Sequence, residues 1–307
     1  MSKLKPKIIC VTGGKGGTGK TLVAVNLATI FKNQGKRVVL IDGDVENPNT
    51  YLLLGAKLKK LDDVEFFIPR INNEKCSMCG MCAENCLSHA LLKVKDIPPI
   101  PMLNLCSGCK LCYKICPDNA IEKDSKIIGT LYESEKHGIK LILGELKPSE
   151  ARSAVIVKSL MEKLDMIIKN SDGMIDVVII DTAPGAHCDV EELIQKADIV
   201  IPVTEPTRFG LLDLTRIIEL INLLEKDFRV IINRSSLPGY KEEFTRELKK
   251  RDIEPLGEIP LSQEIVESYC QGIPLMEDHS EIYTSSEAYQ AFNQIYENLL
   301  RWSEIQK

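Results

Sequence analysis

Gly13-Gly14-Lys15-Gly16-Gly17-Thr18-Gly19-Lys20-Thr21 decides the fold. It follows a short apolar run, Lys7 to Thr12, that reads as a buried strand. It precedes a stretch from Thr21 to Asn33 whose apolar residues (Leu22, Val25, Leu27, Ala28, Ile30, Phe31) recur at helical spacing. Counted from Gly14 to Gly19-Lys20-Thr21, it has the spacing of a phosphate-binding loop, and a strand before it and a helix after it give that spacing meaning. Gly14, Gly16, Gly17, Thr18 and Gly19 let backbone N–H groups converge on phosphate oxygens, and the helix N-terminus adds its dipole. Lys20 is expected to bridge the β- and γ-phosphates. The Thr21 hydroxyl is expected to ligate Mg²⁺, a hard cation that prefers oxygen.

Outward from this loop the alternation continues. Arg37–Asp42, Asp176–Ile180, Asp198–Val203 and Phe228–Asn233 are short apolar runs that read as strands, and Gly210–Glu225 reads as a helix between the last two. Short apolar strands alternating with helices predict an α/β fold, a doubly wound and mainly parallel sheet covered on both faces. Lys241–Asp252 is a charge-rich solvated face, and Ser262–Gln271 and Ser286–Ile305 read as helices. The last of these carries Leu299, Leu300 and Trp302 with a mixed polar face, which predicts packing on the body rather than a membrane anchor.

The chain has 307 residues, 44% hydrophobic and 27% charged, which excludes disordered and fibrous classes and suggests about two domains. Its 39 basic and 44 acidic side chains leave a net charge of −5, so no global field attracts nucleic acid or an anionic membrane, although a local patch stays open. Met1–Lys7 is basic but runs straight into the first strand without the apolar core of a signal peptide, and no apolar run spans a bilayer. A cytoplasmic location is expected. In a reducing compartment, 11 cysteines point to metal or redox chemistry rather than disulfides.

Eight of those cysteines lie between Arg70 and Lys126, where the alternation breaks. Prolines stand at 98, 99, 101 and 117, and Tyr113 is the single aromatic. The segment repeats internally: Cys76, Cys79, Cys82, Cys86 and Ala90 recur 30 residues later as Cys106, Cys109, Cys112, Cys116 and Ala120. Each run has the Cys-x2-Cys-x2-Cys-x3-Cys spacing of bacterial ferredoxins, in which the fourth cysteine ligates the other cluster. The expected [4Fe–4S] ligand sets are therefore Cys76, Cys79, Cys82, Cys116 and Cys106, Cys109, Cys112, Cys86. Proline follows the fourth cysteine of the second run, and Leu87 takes that place in the first. The reading is a small α+β ferredoxin-like domain, 70–126, inserted into an ATPase domain formed by 1–69 and 127–307. The clusters both staple a unit too small to hold a core and offer a short electron path. Of the other cysteines, Cys10 lies on a buried strand and Cys270 on a helix.

The second lysine of the loop, Lys15, makes Lys15-Gly16-Gly17-Thr18-Gly19-Lys20-Thr21 resemble the deviant Walker A motif of the MinD/ParA/nitrogenase-iron-protein class of P-loop ATPases. Several other stretches look like the same class: Asp44-Val45-Glu46-Asn47-Pro48-Asn49, Gly144-Glu145-Leu146-Lys147-Pro148 and Thr204-Glu205-Pro206-Thr207-Arg208-Phe209-Gly210-Leu211. The resemblance implies Mg²⁺-dependent ATP hydrolysis in a homodimer that sandwiches the nucleotide. Lys15 then reaches the partner's phosphates, Asp44 of switch I positions the attacking water and Asp42 supports it near Mg²⁺. Asp181, in Val177-Val178-Ile179-Ile180-Asp181-Thr182-Ala183-Pro184-Gly185, then holds a Mg²⁺ water with Gly185 as the switch II pivot. Asn233 matches the base-recognition position. Cys188, seven residues after Asp181, has the spacing of a cluster-ligating cysteine in the nitrogenase iron protein. It is a bridging-cluster ligand or a passive thiol.

The whole chain thus looks like a MinD-superfamily ATPase with an inserted two-cluster ferredoxin domain. The first functional expectation is ATP-gated electron transfer through two [4Fe–4S] clusters to a redox partner. The alternative is an ATP-dependent Fe–S cluster carrier that serves an acceptor protein. A positioning ATPase of the MinD/ParA kind, with structural clusters, is a third reading, and the mixed tail and acidic balance speak against it.

Overall fold

The computed structural model describes residues 5–277 and 280–303. The start of the basic N-terminus and the last four residues, with the predicted end of the tail helix at Ile305, lie outside them. In chain order the elements are β1 (Lys7–Thr12), α1 (Lys20–Asn33), β2 (Val38–Gly43), α2 (Thr50–Leu53), β3 (Lys59–Ile71), α3 (Met81–Glu84), β4 (Leu91–Leu92), β5 (Ile100–Pro101), α4 (Leu111–Ile115), β6 (Ile121–Lys136) and β7 (Ile139–Leu146). They continue with α5 (Ser153–Asn170), β8 (Val177–Thr182), α6 (Cys188–Lys196), β9 (Ile199–Thr204), α7 (Arg208–Leu223), β10 (Val230–Ile232), α8 (Lys241–Lys250), β11 (Pro255–Glu258), α9 (Gln263–Gln271), α10 (Glu281–Thr284) and α11 (Glu287–Ser303).

The chain divides into two compact units. Residues Asp63–Gly129 form the smaller, and the segments on either side form the larger. The unit reaches beyond the cysteine-rich segment 70–126 at both ends, because the chain enters it within β3 and leaves it within β6, and cysteine spacing cannot mark where a strand crosses a boundary.

In the larger unit the sheet runs in the order β11-β10-β9-β1-β8-β2-β7, and it continues with β6 and β3, the strands that cross into the smaller unit. The pairs from β11 to β7 are parallel. Strands β2, β8 and β9 are buried at every residue, as unbroken apolar runs require when helices cover both faces. The register sets Asp181 of β8 opposite both Asp42 of β2 and Val11 of β1. The C-terminal ends of β1, β2, β8, β9 and β10 therefore share one edge of the sheet, where ligands of open α/β folds bind.

Helix α1 is buried on nearly all sides. Its Phe31 ring meets the ring of Tyr296 on α11 edge-on, with centroids 5.1 Å apart. Leu299 and Leu300 are buried in the same core and Trp302 packs against it, so the tail helix spends its apolar face on the protein body. Among the described residues no helix is long and apolar enough to cross a membrane.

Periodicity assigns no element between Lys126 and Asp176. The structure places β7 and α5 there. Strand β7 follows β6 through a two-residue turn, His137-Gly138, with both φ values positive (51° and 72°).

The smaller unit keeps the sequence repeat in its backbone. Helices α3 and α4 begin at equivalent points. Left-handed residues recur 30 apart at Met78 and Gly108, Gly80 and Lys110, and His89 and Asn119. The N–H groups of Asn72 and Met102 reach across the repeat to the carbonyls of Ala120 and Ala90, each at 2.7 Å. A small buried apolar cluster there consists of Cys82, Leu91 and Ile121, with Ile71, Ala83, Cys112 and Cys116 packed against it.

Candidate functional site

The loop between β1 and α1 opens into a cleft of about 420 Å³ lined by Gly16, Gly17, Gly19, Lys20, Thr21 and Asp44 on one side and by Asn233, Arg234, Pro260, Leu261, Ile265 and Tyr269 on the other. A Cβ at Gly16 or Gly17 would meet nothing within 4 Å, so the loop faces open space, whereas one at Gly14 would stand 2.2 Å from the Asp213 carbonyl of α7. Gly14 is thus the point where the loop seats on the protein. Gly19 is left-handed (φ 97°), and a Cβ there would lie 2.2 Å from the Asn233 amide nitrogen.

Lys20 is buried and its Nζ donates to the Lys15 carbonyl at 3.1 Å, inside the curve of the loop. Burial lowers its pKa, and the carboxylates of Asp181 and Asp44 oppose that shift. The Thr21 hydroxyl donates to Asp181 Oδ2 at 2.6 Å. The other oxygen of Asp181, Oδ1, is buried without a hydrogen-bond partner among the described residues, as is the Thr18 hydroxyl. Burial and then the neighbouring Asp42 push the Asp181 carboxyl well above the usual carboxylate range. A buried orphan acceptor beside a threonine hydroxyl is a donor set suited to Mg²⁺, so Thr21 and Asp181 fit that cation.

Asp42 stands opposite Asp181 in the register and supports the loop that carries Asp44. Its Oδ1 accepts from the Asp44 N–H, and its Oδ2 accepts from the Asn49 and Thr50 N–H groups and the Thr50 hydroxyl. Both oxygens are occupied in holding the loop that carries Asp44. Burial pushes its carboxyl up to about 6 against the pull of those donors. Asp44 lines the cleft, and burial raises its pKa as well, opposed by the Asn47 N–H and by Lys20. The segment after β8 is tied to the loop through the Gly185 N–H, which donates to the Gly13 carbonyl at 3.0 Å.

Lys15 does not project into solvent. Its Nζ meets Glu205 Oε1 at 2.6 Å, and Glu205 Oε2 meets Arg234 Nη1 at 2.9 Å. Burial raises the Glu205 pKa, but hydrogen bonds and charge from Lys15 and Arg234 hold it below the usual range. Glu205 and Arg234 carried no chemistry in the sequence reading. The available signal was position: Glu205 follows β9 as directly as Asn233 follows β10. Asn233 is buried and donates its amide to the Thr18 carbonyl at 2.8 Å, bracing the phosphate loop from the far side of the cleft.

In the smaller unit no three His, Cys, Asp or Glu side chains among the described residues converge closely enough for a single metal ion. The cysteines instead surround two hollows. One is lined by Cys76, Cys79, Cys82 and Cys116 with Ile71, Pro99, Pro117 and Asp118. The other is lined by Cys86, Cys106, Cys109 and Cys112 with Phe67, Pro69, Ser88 and Lys110. Each hollow draws three cysteines from one run and the fourth from the other. Backbone N–H groups already point at sulfur: Ala90 to Cys86 and Ala120 to Cys116, both at 3.3 Å, and Gly108 to Cys106 at 3.4 Å. Burial raises the Cys82 thiol, and it raises Cys112 to about 11. Four cysteines around an apolar hollow, with N–H groups aimed at sulfur, fit a multi-iron cluster better than one ion.

Cys188 opens α6 and is exposed, Cys270 is exposed on α9, and Cys10 is buried in β1, where burial drives its pKa upward.

The model of the CobQ/CobB/MinD/ParA nucleotide binding domain matches residues 9–275. An uncharacterised protein of Methanocaldococcus jannaschii is 36% identical over 267 residues, covering 86% of this chain and 90% of the relative. An iron-sulfur cluster carrier protein of Pyrococcus abyssi is 23% identical over 305 residues, 95% of this chain and 85% of the relative. Among solved structures, the septum site-determining protein MinD of Pyrococcus horikoshii, complexed with Mg-ADP, superposes with a TM-score of 0.57 at 21% identity over 98% of both chains. That likeness establishes the fold.

Proposed function

We propose that this chain, which belongs to the CobQ/CobB/MinD/ParA nucleotide-binding family, is a Mg²⁺-dependent ATPase that holds two [4Fe–4S] clusters and couples ATP turnover to electron transfer through them. The observation that carries the reading is the pairing, in one chain, of a phosphate loop backed by an orphaned buried carboxylate with two four-cysteine hollows.

The loop N–H groups cradle the phosphates, and Lys20 supplies fixed positive charge at the β- and γ-phosphates. Mg²⁺, when bound, neutralises the charge that develops on the phosphoryl oxygens. Thr21 and Asp181 hold it directly or through water. Asp44, on the loop braced by Asp42, orients the attacking water, and Asn233 and the Pro260–Leu261 wall receive the base. Lys15 is the residue that exchanges Glu205 for the phosphates of a second copy of the chain, which makes the active form a homodimer. Cys76, Cys79, Cys82 and Cys116 ligate one cluster, and Cys86, Cys106, Cys109 and Cys112 the other, so that residues 70–126 act as a ferredoxin-like domain. Eight ligands from one chain favour retention of the clusters over release.

The second reading, an ATP-dependent cluster carrier, is favoured by the similarity to proteins named as such. It assigns Cys188 to a bridging site. Anaerobic reconstitution followed by incubation with an apo-ferredoxin separates the two. Clusters retained in the presence of the apo-ferredoxin, together with ATP-dependent electron transfer from the dithionite-reduced chain to an oxidised holo-ferredoxin, support electron transfer. ATP-dependent loss of iron to the acceptor, abolished in Cys188→Ala, supports carriage.

A further inference from the structure

The 30-residue repeat holds at the cysteines and breaks at the positions beside them. Ser88 and Asp118 occupy the same slot, two residues after Cys86 and Cys116. The Ser88 hydroxyl lies 3.6 Å from Cys86 Sγ. Asp118 instead brings a carboxylate to the wall of the hollow lined by Cys76, Cys79, Cys82 and Cys116. It is held there by the Ser77 N–H at 3.1 Å and the Ser77 hydroxyl at 2.5 Å.

A second slot breaks in the same sense. Gly80 lines the first hollow and its counterpart Lys110 lines the second. The Lys110 ammonium stands over the Phe67 ring at 5.9 Å, without an ion pair among the described residues. Lys93 reaches the Cys79 carbonyl at 3.5 Å beside the first hollow, but its charge is paired with Glu84 at 2.7 Å. The backbone donors Ala90 and Ala120 match across the repeat, and Gly108 adds one more to the second hollow, on Cys106.

An electron added to an iron–sulfur cluster makes it more negative. Donors to its sulfurs and nearby cations stabilise that state, and a nearby carboxylate opposes it. We propose that the two hollows hold clusters of unequal reduction potential, the higher one being ligated by Cys86, Cys106, Cys109 and Cys112, with Ser88 and Asp118 setting the order. This deepens the two-cluster reading above and rests on it. Each cluster takes one electron from dithionite and no bond is made or broken. Electrons entering the chain therefore settle first on the Cys86 cluster, and the Cys76 cluster is the stronger reductant.

The test is an EPR-monitored dithionite titration of the reconstituted full chain, with iron counted beforehand. Wild type should hold eight irons and reduce in two separate one-electron steps. Ser88→Ala should move only the upper step downward, and Asp118→Asn only the lower step upward. Each shift should be about tenfold in the reduction equilibrium, about 59 mV for one electron. Ser88→Thr, which keeps the hydroxyl, should restore the upper step. Coincident steps indifferent to both substitutions, or an Asp118→Asn shift confined to the upper step, overturn the proposal. Fewer than eight irons in wild type refutes the two-cluster reading itself, and does so before the titration begins.

Discussion

Replacing Glu205 by glutamine tests how Lys15 is controlled. Glu205 is 8% exposed, and its Oε1 grips the Lys15 ammonium at 2.6 Å. A partly buried, charge-assisted hydrogen bond of this kind contributes about 1.5–3 kcal/mol. The Arg234 contact at 2.9 Å adds little, about 0–1 kcal/mol, because the arginine side chain is 42% exposed and water screens it. Glutamine keeps the volume and one acceptor oxygen but removes the charge. If Lys15 must leave Glu205 before it can reach phosphate on a second copy, that departure opposes dimerisation by nearly the full strength of the pair. E205Q should then tighten the nucleotide-dependent dimer by up to about 10- to 100-fold for each of the two protomers, at 1.4 kcal/mol per decade. Sedimentation velocity with Mg²⁺ and a slowly hydrolysed ATP analogue measures this. Wild type and E205Q should both be monomeric without nucleotide, and Lys15→Ala should stay monomeric throughout. A dimer equally strong or weaker in E205Q, in a variant that melts like wild type, refutes the reasoning.

Three further outcomes follow from the same site. Burial raises the Asp181 pKa and a bound Mg²⁺ favours the ionised carboxylate, so metal and proton compete there. Mg²⁺-nucleotide affinity should therefore rise with pH, and calorimetry in buffers of different ionisation enthalpy should detect proton release that Asp181→Asn abolishes. Asp42 has a folded pKa raised from 3.8 to about 6, so its contribution to metal-free stability is fully present below 3.8 and is lost as pH rises through about 6. Urea melts across that window should show a decline of up to about 3 kcal/mol, which Asp42→Asn flattens. Gly19→Ala imposes a side chain at φ 97° against the Asn233 amide; it should lower stability by about 1–3 kcal/mol and weaken nucleotide binding, read by thermal melts with and without Mg-ATP.

The parts of this protein written as local pattern were legible in its sequence. The phosphate loop, the apolar strands leading into Asp42 and Asp181, and the crossed cysteine runs all depend on spacing along the chain, and spacing survives folding. What required the structure depends on residues far apart in sequence. Lys15 and Glu205 are separated by 190 positions and meet only because β9 lies beside β1. The means by which Asp42 supports its neighbour, its oxygens bound to the loop at 49–50, shows only in the structure. Strand β7 and helix α5 carry weak local signals: the apolar residues of β7 sit among charges and glycine, and α5 starts without a capping side chain or an acidic first turn. The edges of the smaller unit escaped for a different reason: β3 and β6 run through them without a break, and Pro69 and Gly129 lie inside those strands rather than in a loop that would mark a boundary.

The central claim is that nucleotide and clusters are coupled in one chain. Anaerobic EPR of the iron-loaded protein under dithionite, with and without Mg-ATP or a non-hydrolysable analogue, tests it most directly. The account predicts a coupled two-cluster S = 1/2 spectrum whose shape or reducibility changes when nucleotide binds. A ferredoxin-like spectrum identical in both conditions contradicts it.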